Sequence, residues 1–324
     1  MKLETEDDVN QLLNAAKALA VVSSWSAVGL FEQLRKGPLQ QGELKAEPRA
    51  VATTLPVLCH LGLVALDGDR VALTSRAERL FDERALPTDR NLVVLRDLAR
   101  LVDVLRDGGP VRDDQGKSKG TRGGTTPQDL AQTERFLDML YRISDAPARS
   151  TYRWLHADLP ERGYVLDLGG GHGRYARAFA DAGHATTLFD QPEVVGLARK
   201  RHGDALSYLA GDFHEAESFG GPYDLVLLCN IVHGESPPAN ASIIARAARS
   251  LRPGGRIAVR EMLLDDQRQN PPSGVFFNLT MLLYTDHGRV PAVAEVRAWF
   301  EAAGLSDFRL IVEETHQIAV ARKV

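Results

Sequence analysis

The chain has 324 residues, 44% of them hydrophobic and 25% charged, with a net charge of −4. Such a chain can bury a sizeable core, has room for two domains, and is neither fibrous nor disordered as a whole. The weak negative charge argues against a general nucleic-acid or anionic-membrane partner. The two cysteines, Cys59 and Cys229, form neither a disulfide framework nor a metal knuckle, so no metal is expected. The first residues, MKLETEDDVNQLL, lack the apolar core of a signal peptide, and no apolar run reaches the roughly 18–20 residues that span a bilayer. A cytoplasmic protein is expected.

Residues 1–90 predict a domain of three helices and a hairpin. Over 9–34, Leu12, Leu13, Ala16, Leu19, Ala20 and Trp25 recur at helical spacing, punctuated by Gly29 and Gly37-Pro38. Residues 42–46 predict a short second helix, and 49–61 a third, bent or interrupted near Pro56. The segment VALDGDRVAL, residues 64–73, alternates around Asp67-Gly68 and predicts a hairpin. Three helices and a two-stranded wing make a winged helix. A groove-reading helix needs basic and amide side chains, whereas the candidate here, AVATTLPVLCHLGL, is almost wholly apolar. Dimerisation is the expected use of this domain rather than DNA binding.

Residues 91–155 predict a helical linker, with helices over 91–106 and 128–155. Between them, residues 107–126 hold six glycines and no large apolar residue except Val111. That composition fits a solvated linker, and a lid over a site is the sharper alternative.

From Gly163 onward strand and helix alternate. Strands are expected over 164–168, 185–189, 206–210, 224–229 and 256–262, and helices over 174–182, 193–202 and 240–251. Alternation of this kind predicts an α/β domain, residues 156–324, with a parallel sheet covered on both faces. Two strands at the tail, 308–313 and 317–322, have only a short link, so the last strand should be antiparallel.

Four motifs carry chemistry. In VLDLGGGHGRYARAFA a strand runs through Asp167 into Gly169, Gly170, Gly171 and Gly173, then a helix. Glycines let backbone approach a ligand, and the helix N-terminus offers free N–H groups. The spacing is GxGxG rather than the GxGxxG of dinucleotide folds. Asp190, 21 residues beyond Gly169 and followed by Gln191-Pro192, can accept from both hydroxyls of a ribose; its plainer role is a helix N-cap. Asp212 can accept from an adenine amino group, and Phe213 can cover the ring. Fourth, His233 follows the buried strand LVLLCN at its carboxyl edge, where open α/β sheets bind ligands, and Glu261 closes the next strand at the same edge. A lone histidine is usually a satisfied polar group. Beside a cofactor it can act as a general base, with a carboxylate fixing its tautomer.

Together DLGGGHG, FDQP, GDFH, NIVHG, LRPGG and EVRAWFEAAGL resemble the bacterial and plant small-molecule O-methyltransferases, the caffeic acid and anthracycline group, over nearly the whole chain. The resemblance implies S-adenosylmethionine as cofactor and a Rossmann-like seven-stranded methyltransferase sheet of order 3-2-1-4-5-7-6. It also implies a homodimer formed through the N-terminal domain. By it, Gly169 and Gly171 would touch the methionine part of the cofactor, Asp190 would hold the ribose, and Asp212 with Phe213 the adenine, with Asp167 and Gln191 also at the cofactor site. Cys229 and Asn230 would lie against the cofactor. His233 would be the base and Glu261 its support, 28 residues later. The chain departs from plant members in two places. Gly234 and Glu235 follow the base instead of Asp or Asn and then Trp, and Gly288-Arg289-Val290 lacks a second glutamate.

An apolar pocket for a small acceptor is expected from Phe136 and Met139 on TERFLDMLYRIS and from Phe277, Asn278 and Met281 on VFFNLTMLLY, with about half of these side chains serving as core. The expected reaction is methyl transfer to a hydroxyl of an aromatic or polyketide-like compound. C- or N-methylation, or a non-methylating enzyme on the same fold, is the alternative. A ligand-sensing winged-helix regulator would want a basic recognition helix, and a nicotinamide-dependent oxidoreductase would want GxGxxG; both are missing.

Overall fold

The computed structural model describes residues 2–83, 85–113, 116, 118 and 127–324. It divides into two units, Met1–Asp107 and Gly108–Val324. In the first, α1 (Glu6–Ala27) starts at a capping box in which the Thr5 hydroxyl accepts from Asp8 N at 3.2 Å and the Asp8 carboxylate accepts from Thr5 N at 2.8 Å. Gly29, at φ 73°, separates it from α2 (Leu30–Arg35). Then follow β1 (Leu39–Gln40), α3 (Pro48–His60), β2 (Val64–Asp67) and β3 (Arg70–Leu73). The hairpin turns at Gly68 and pairs Val64 with Leu73 and Asp67 with Arg70. Helix α3 runs through Pro56 and buries Val51, Leu55 and Leu58 against Phe31 and Val71. Helices α4 (Ser75–Asp82), α5 (Asp89–Ala99) and α6 (Leu101–Asp107) complete the unit.

The helix expected over 42–46 is corrected. Only the 3-10 turn Gln41–Glu43 forms there, because the Glu43 carboxylate takes Gln40 N at 2.7 Å and Leu44 is extended. The single helix expected over 128–155 is also two, α7 (Pro127–Ile143) and α8 (Asp145–Leu155). Pro147, which has no N–H to continue the ladder of α7, starts a new first turn instead. Of the span read as linker or lid, most residues lie outside those described. Val111 donates its backbone N–H to Leu283 O at 2.8 Å.

The second unit continues with β4 (Tyr164–Leu168), α9 (Arg174–Ala180), β5 (Ala185–Asp190), α10 (Pro192–His202), β6 (Ser207–Ala210) and β7 (Tyr223–Cys229). Beyond these come α11 (Pro237–Arg249), β8 (Leu251–Glu261), α12 (Pro272–Tyr284), α13 (Val293–Ala302), β9 (Leu305–Val312) and β10 (Gln317–Lys323). The sheet runs β6-β5-β4-β7-β8-β10-β9. Counted within the sheet this is 3-2-1-4-5-7-6. Strands β4 to β8 are parallel, and β10 is antiparallel to both neighbours. All seven residues of β7 are buried, as a parallel strand covered on both faces requires. Strand β8 starts at Leu251, earlier than its apolar run, and carries the LRPGG segment along β7. A Cβ on Gly255 would stand 2.9 Å from Tyr223 O, so only glycine allows that approach. Among the described residues no helix is long and apolar enough to cross a membrane.

The turn between β4 and α9 is built on a neutral, buried histidine. His172 Nδ1 accepts from Arg174 N at 3.0 Å, and Nε2 lies 3.3 Å from Ser144 Oγ. Burial, with Arg201, His202 and Arg174 nearby, pushes its pKa down to about 4. The unfolded value is about 6.5, so between the two the unfolded chain binds more protons. Stability from this group is therefore complete above pH 6.5 and is lost as pH falls toward 4, by on the order of 3 kcal/mol. In His172→Asn the amide oxygen can still accept from Arg174 N, and urea unfolding should lose less stability over that window than wild type. Identical pH profiles would contradict the assignment.

Candidate active site

The carboxyl ends of β4, β5, β6, β7 and β8 deliver the motif residues to one edge. Asp167 lies in β4 with no exposed surface. Burial drives its pKa up to about 7 against the Ala176 N–H, which donates to Oδ2 at 3.0 Å; Oδ1 has no partner. Gly169 follows at φ 69°, and a Cβ there would stand 2.5 Å from Ile231 Cδ1. The N–H groups of Gly169 and Gly170 both donate to Phe189 O, at 2.8 and 3.2 Å, tying the loop to the end of β5. The Gly171 N–H donates to Asp190 Oδ2 at 2.8 Å.

Asp190 ends β5. Its Oδ1 accepts from Gln191 N at 2.8 Å, so each carboxylate oxygen takes one backbone N–H and retains a further lone pair. Burial raises its pKa, while the Gly171 and Gln191 N–H groups lower it. The N-cap of α10 is Gln191, whose side chain makes no capping bond, so Asp190 is not the cap. Beyond β6, Asp212 Oδ1 accepts from His214 N at 2.7 Å. The Phe213 ring reaches within 3.8 Å of the position a Gly169 Cβ would occupy. The glycine loop, Ile231 and Phe213 thus wall one recess.

Cys229 closes β7. Burial raises its thiol well above the ordinary range, so it stays protonated and unreactive. Asn230, at φ 58°, redirects the chain, and its N–H donates to Arg260 O at 2.9 Å. The 3-10 turn Val232–Gly234 follows. There His233 Nδ1 lies 2.8 Å from Glu261 Oε2, and His233 N donates to the same oxygen at 3.3 Å. Met262 N donates to Oε1 at 3.0 Å. Burial acts to raise the Glu261 pKa, but His233, by charge and hydrogen bond, and the Met262 N–H together hold it below the ordinary value. Glu261 is therefore an anion at neutral pH that orients the imidazole with Nδ1 as donor and Nε2 as acceptor.

The Phe277 ring meets His233 edge-on at 5.0 Å and 81°. Asn278 Oδ1 accepts from Val290 N at 2.9 Å and so holds a loop, while Met281 is buried. On α7 it is Leu137 that lies against the glycine loop, 3.4 Å from the Cβ position of Gly171. Phe136 and Met139, half-buried, are turned about 100° and 200° from it around the helix. Gly288 passes so close to His233 that a Cβ would stand 2.6 Å from His233 O, and Arg289 pairs with Glu295. No carboxylate is supplied by that segment.

Two groups were missed in the sequence. Glu235 lies 3.4 Å from His214 Nε2, and burial raises its pKa. His316 comes to Glu261 through the β8–β10 register, which pairs Gln317 with Glu261; burial and Arg260 push its pKa down to about 4. The adjacency of Glu235 to His233 was a visible signal, whereas the approach of His316 needed the strand pairing.

A family model described as an O-methyltransferase domain matches residues 127–306. The tetracenomycin polyketide synthesis 8-O-methyl transferase of Streptomyces glaucescens is 29% identical over 98% of this chain and 96% of its own. Bovine acetylserotonin O-methyltransferase is 34% identical over 51% of this chain and 49% of its own. The structure of an O-methyltransferase family protein from Burkholderia thailandensis superposes with a TM-score of 0.81 at 22% identity, covering 99% of each chain.

The wall of the recess predicts a steric test. Gly169→Ala should lose about 1–3 kcal/mol of stability, from the positive φ and the contact with Ile231 Cδ1. Adding Ile231→Val removes that atom and should return part of the loss. A double variant no more stable than Gly169→Ala in urea unfolding would contradict the contact.

Proposed function

The chain belongs to the O-methyltransferase family of S-adenosylmethionine-dependent enzymes, and we propose that His233 takes the proton from a hydroxyl of a small aromatic or polyketide-like acceptor as that oxygen is methylated. The observation that carries this reading is the 2.8 Å bond between His233 Nδ1 and the buried Glu261. It commits one imidazole nitrogen and leaves Nε2 to accept. Glu261 then stabilises the imidazolium that forms.

The residues at the sheet edge fit the cofactor. Asp190 keeps one lone pair per oxygen for the two ribose hydroxyls. Asp212, with Oδ2 outside its turn bond, would accept from the adenine amino group, and Phe213 would offer the ring an apolar face. Asp167 Oδ1, buried without a partner, awaits a donor. Gly169 and Gly171 would keep the floor low for the methionine part, with Cys229 and Asn230 beside it, and Gln191 would lie next to the ribose. When bound, S-adenosylmethionine supplies a methyl group already activated on a positive sulfur. The protein's task is then alignment, worth roughly 7–11 kcal/mol in favourable model reactions, and proton removal, worth about 10²–10⁴-fold. Phe277, edge-on to His233, would hold an aromatic acceptor beside the base.

The names of relatives that methylate a polyketide, a hydroxynaphthoate and a hydroxybenzoate support an aromatic hydroxyl as acceptor. The first unit supports dimerisation rather than DNA binding. Exposed positions of α3 are Pro48, Arg49, Ala50, Ala52, Thr53, Pro56 and His60, with a single arginine among them. Helix α1 leaves Val9, Leu12 and Leu13 exposed, an apolar stripe suited to a second copy.

A screen of phenolic and polyketide hydroxyl compounds should return products heavier by one methyl group. With an acceptor in hand, His233→Ala should lower kcat about 10²–10⁴-fold while binding S-adenosylhomocysteine as wild type does. Near wild-type turnover in that variant would remove His233 from the reaction.

A further inference from the structure

Helix α7 touches the glycine loop at Leu137, and beside that contact the loop, α7 and α10 stand apart. A cavity of about 170 Å³ opens between them, bounded by Leu137, Asp138, Gly171, His172, Lys200 and Arg201. Apolar packing is thus interrupted beside Leu137, and a polar cluster one turn further along adds a second contact. The Tyr141 hydroxyl accepts from Arg174 Nη1 at 2.7 Å. The Arg174 guanidinium carbon lies 4.1 Å from the centre of the Tyr141 ring, and that of Arg201 lies 4.4 Å from it. Two cations on one ring repel each other unless they are neutralised. Here Asp145 pairs with Arg174 at 2.8 Å, and Asp138 pairs with Arg201.

The three partners have different owners. Tyr141 belongs to α7, Arg174 is the first residue after the glycine loop, and Arg201 lies on α10. The His172 and His202 rings flank the tyrosine at 6.1 and 5.8 Å, and His202 Nε2 is 3.0 Å from His172 O. The far end of the loop is thus braced by a side chain of α7, while its near end is tied to Phe189 and Asp190. Leu137, one turn before Tyr141, rests against Gly171.

We propose that Tyr141 is a positioning residue for the cofactor loop: gripped by Arg174 and Arg201, it fixes residues 171–174 against α7 and so presets the recess in which S-adenosylmethionine binds. The inference rests on the cofactor assignment and is independent of the role given to His233 and of the acceptor's identity. Removing the ring leaves two guanidinium groups facing each other and takes the hydroxyl acceptor from Arg174. The loop then has to be ordered by the ligand, and affinity falls by that ordering cost.

Calorimetry with S-adenosylhomocysteine on the full chain tests this without any turnover. Tyr141→Leu, which removes two cation–π contacts and one charged hydrogen bond, should weaken binding about tenfold or more. Tyr141→Phe, which keeps the ring, should weaken it only about two- to threefold. Phe300→Leu, a core change remote from the loop, calibrates what lost stability alone does: it should lower Tm and leave affinity unchanged. Wild-type affinity in Tyr141→Leu would overturn the proposal, as would an equal loss in Phe300→Leu at matched Tm. Should Tyr141→Leu fail to fold, Tyr141→Phe and Arg201→Gln carry the test, and wild-type affinity in both would overturn it. Failure of the unaltered protein to bind S-adenosylhomocysteine would instead sink the cofactor assignment, and this inference with it.

Discussion

A carboxylate without exposed surface, Glu261, organises the reactive edge of this protein. Moving such a charge out of water costs several kcal/mol unless donors replace the solvent. Three do so here: His233 Nδ1, His233 N and Met262 N. Two come from one residue, so satisfying the carboxylate fixes both the path of the 232–234 turn and the direction of the imidazole. The left-handed Asn230, tied to Arg260 O on the same strand, brings the turn to that place. Without the buried anion, the turn after β7 would have no reason to point a histidine into the site.

The same logic repeats along the sheet edge. Asp190 is held by the N–H groups of Gly171 and Gln191, and so joins the ends of β4 and β5. Asp167 is the contrasting case, with one oxygen bonded to Ala176 N and the other left buried and unpaired. A parallel sheet gathers these groups because its strands all end on one side, while glycine at 169 and 171 keeps the floor open. On the proposed cofactor site, stability and ligand grip are coupled at this edge, since Asp190 both closes the loop and would meet the ribose.

Much of this was legible in the sequence where the signal is local. The Asp67-Gly68 hairpin, the unbroken apolar run of β7, and the strand–glycine–helix passage at Asp167–Gly173 each carry their own physical reason. What stayed hidden depended on partners distant in the chain. The turn at Gln41–Glu43 reads as helix until Glu43 is seen to cap Gln40 N. The break at Ser144 was visible in Pro147 but masked by helical periodicity on both sides. The contact of Leu137 with the glycine loop, and those of Tyr141 one turn on with Arg174 and Arg201, join elements far apart in the chain. The approach of His316 to Glu261 follows only from the antiparallel pairing of β10 with β8. The absent second glutamate, by contrast, was readable, and Arg289 there pairs with Glu295.

In the proposed mechanism Glu261 leaves Nε2 of His233 as the free base. Two-bond ¹H–¹⁵N correlation of histidine-labelled protein, with His233 assigned through His233→Gln, reads this directly. In the neutral ring the proton should sit on Nδ1 and leave Nε2 bare, with that preference weakened in Glu261→Gln. A neutral ring protonated on Nε2 in the wild-type protein would contradict it.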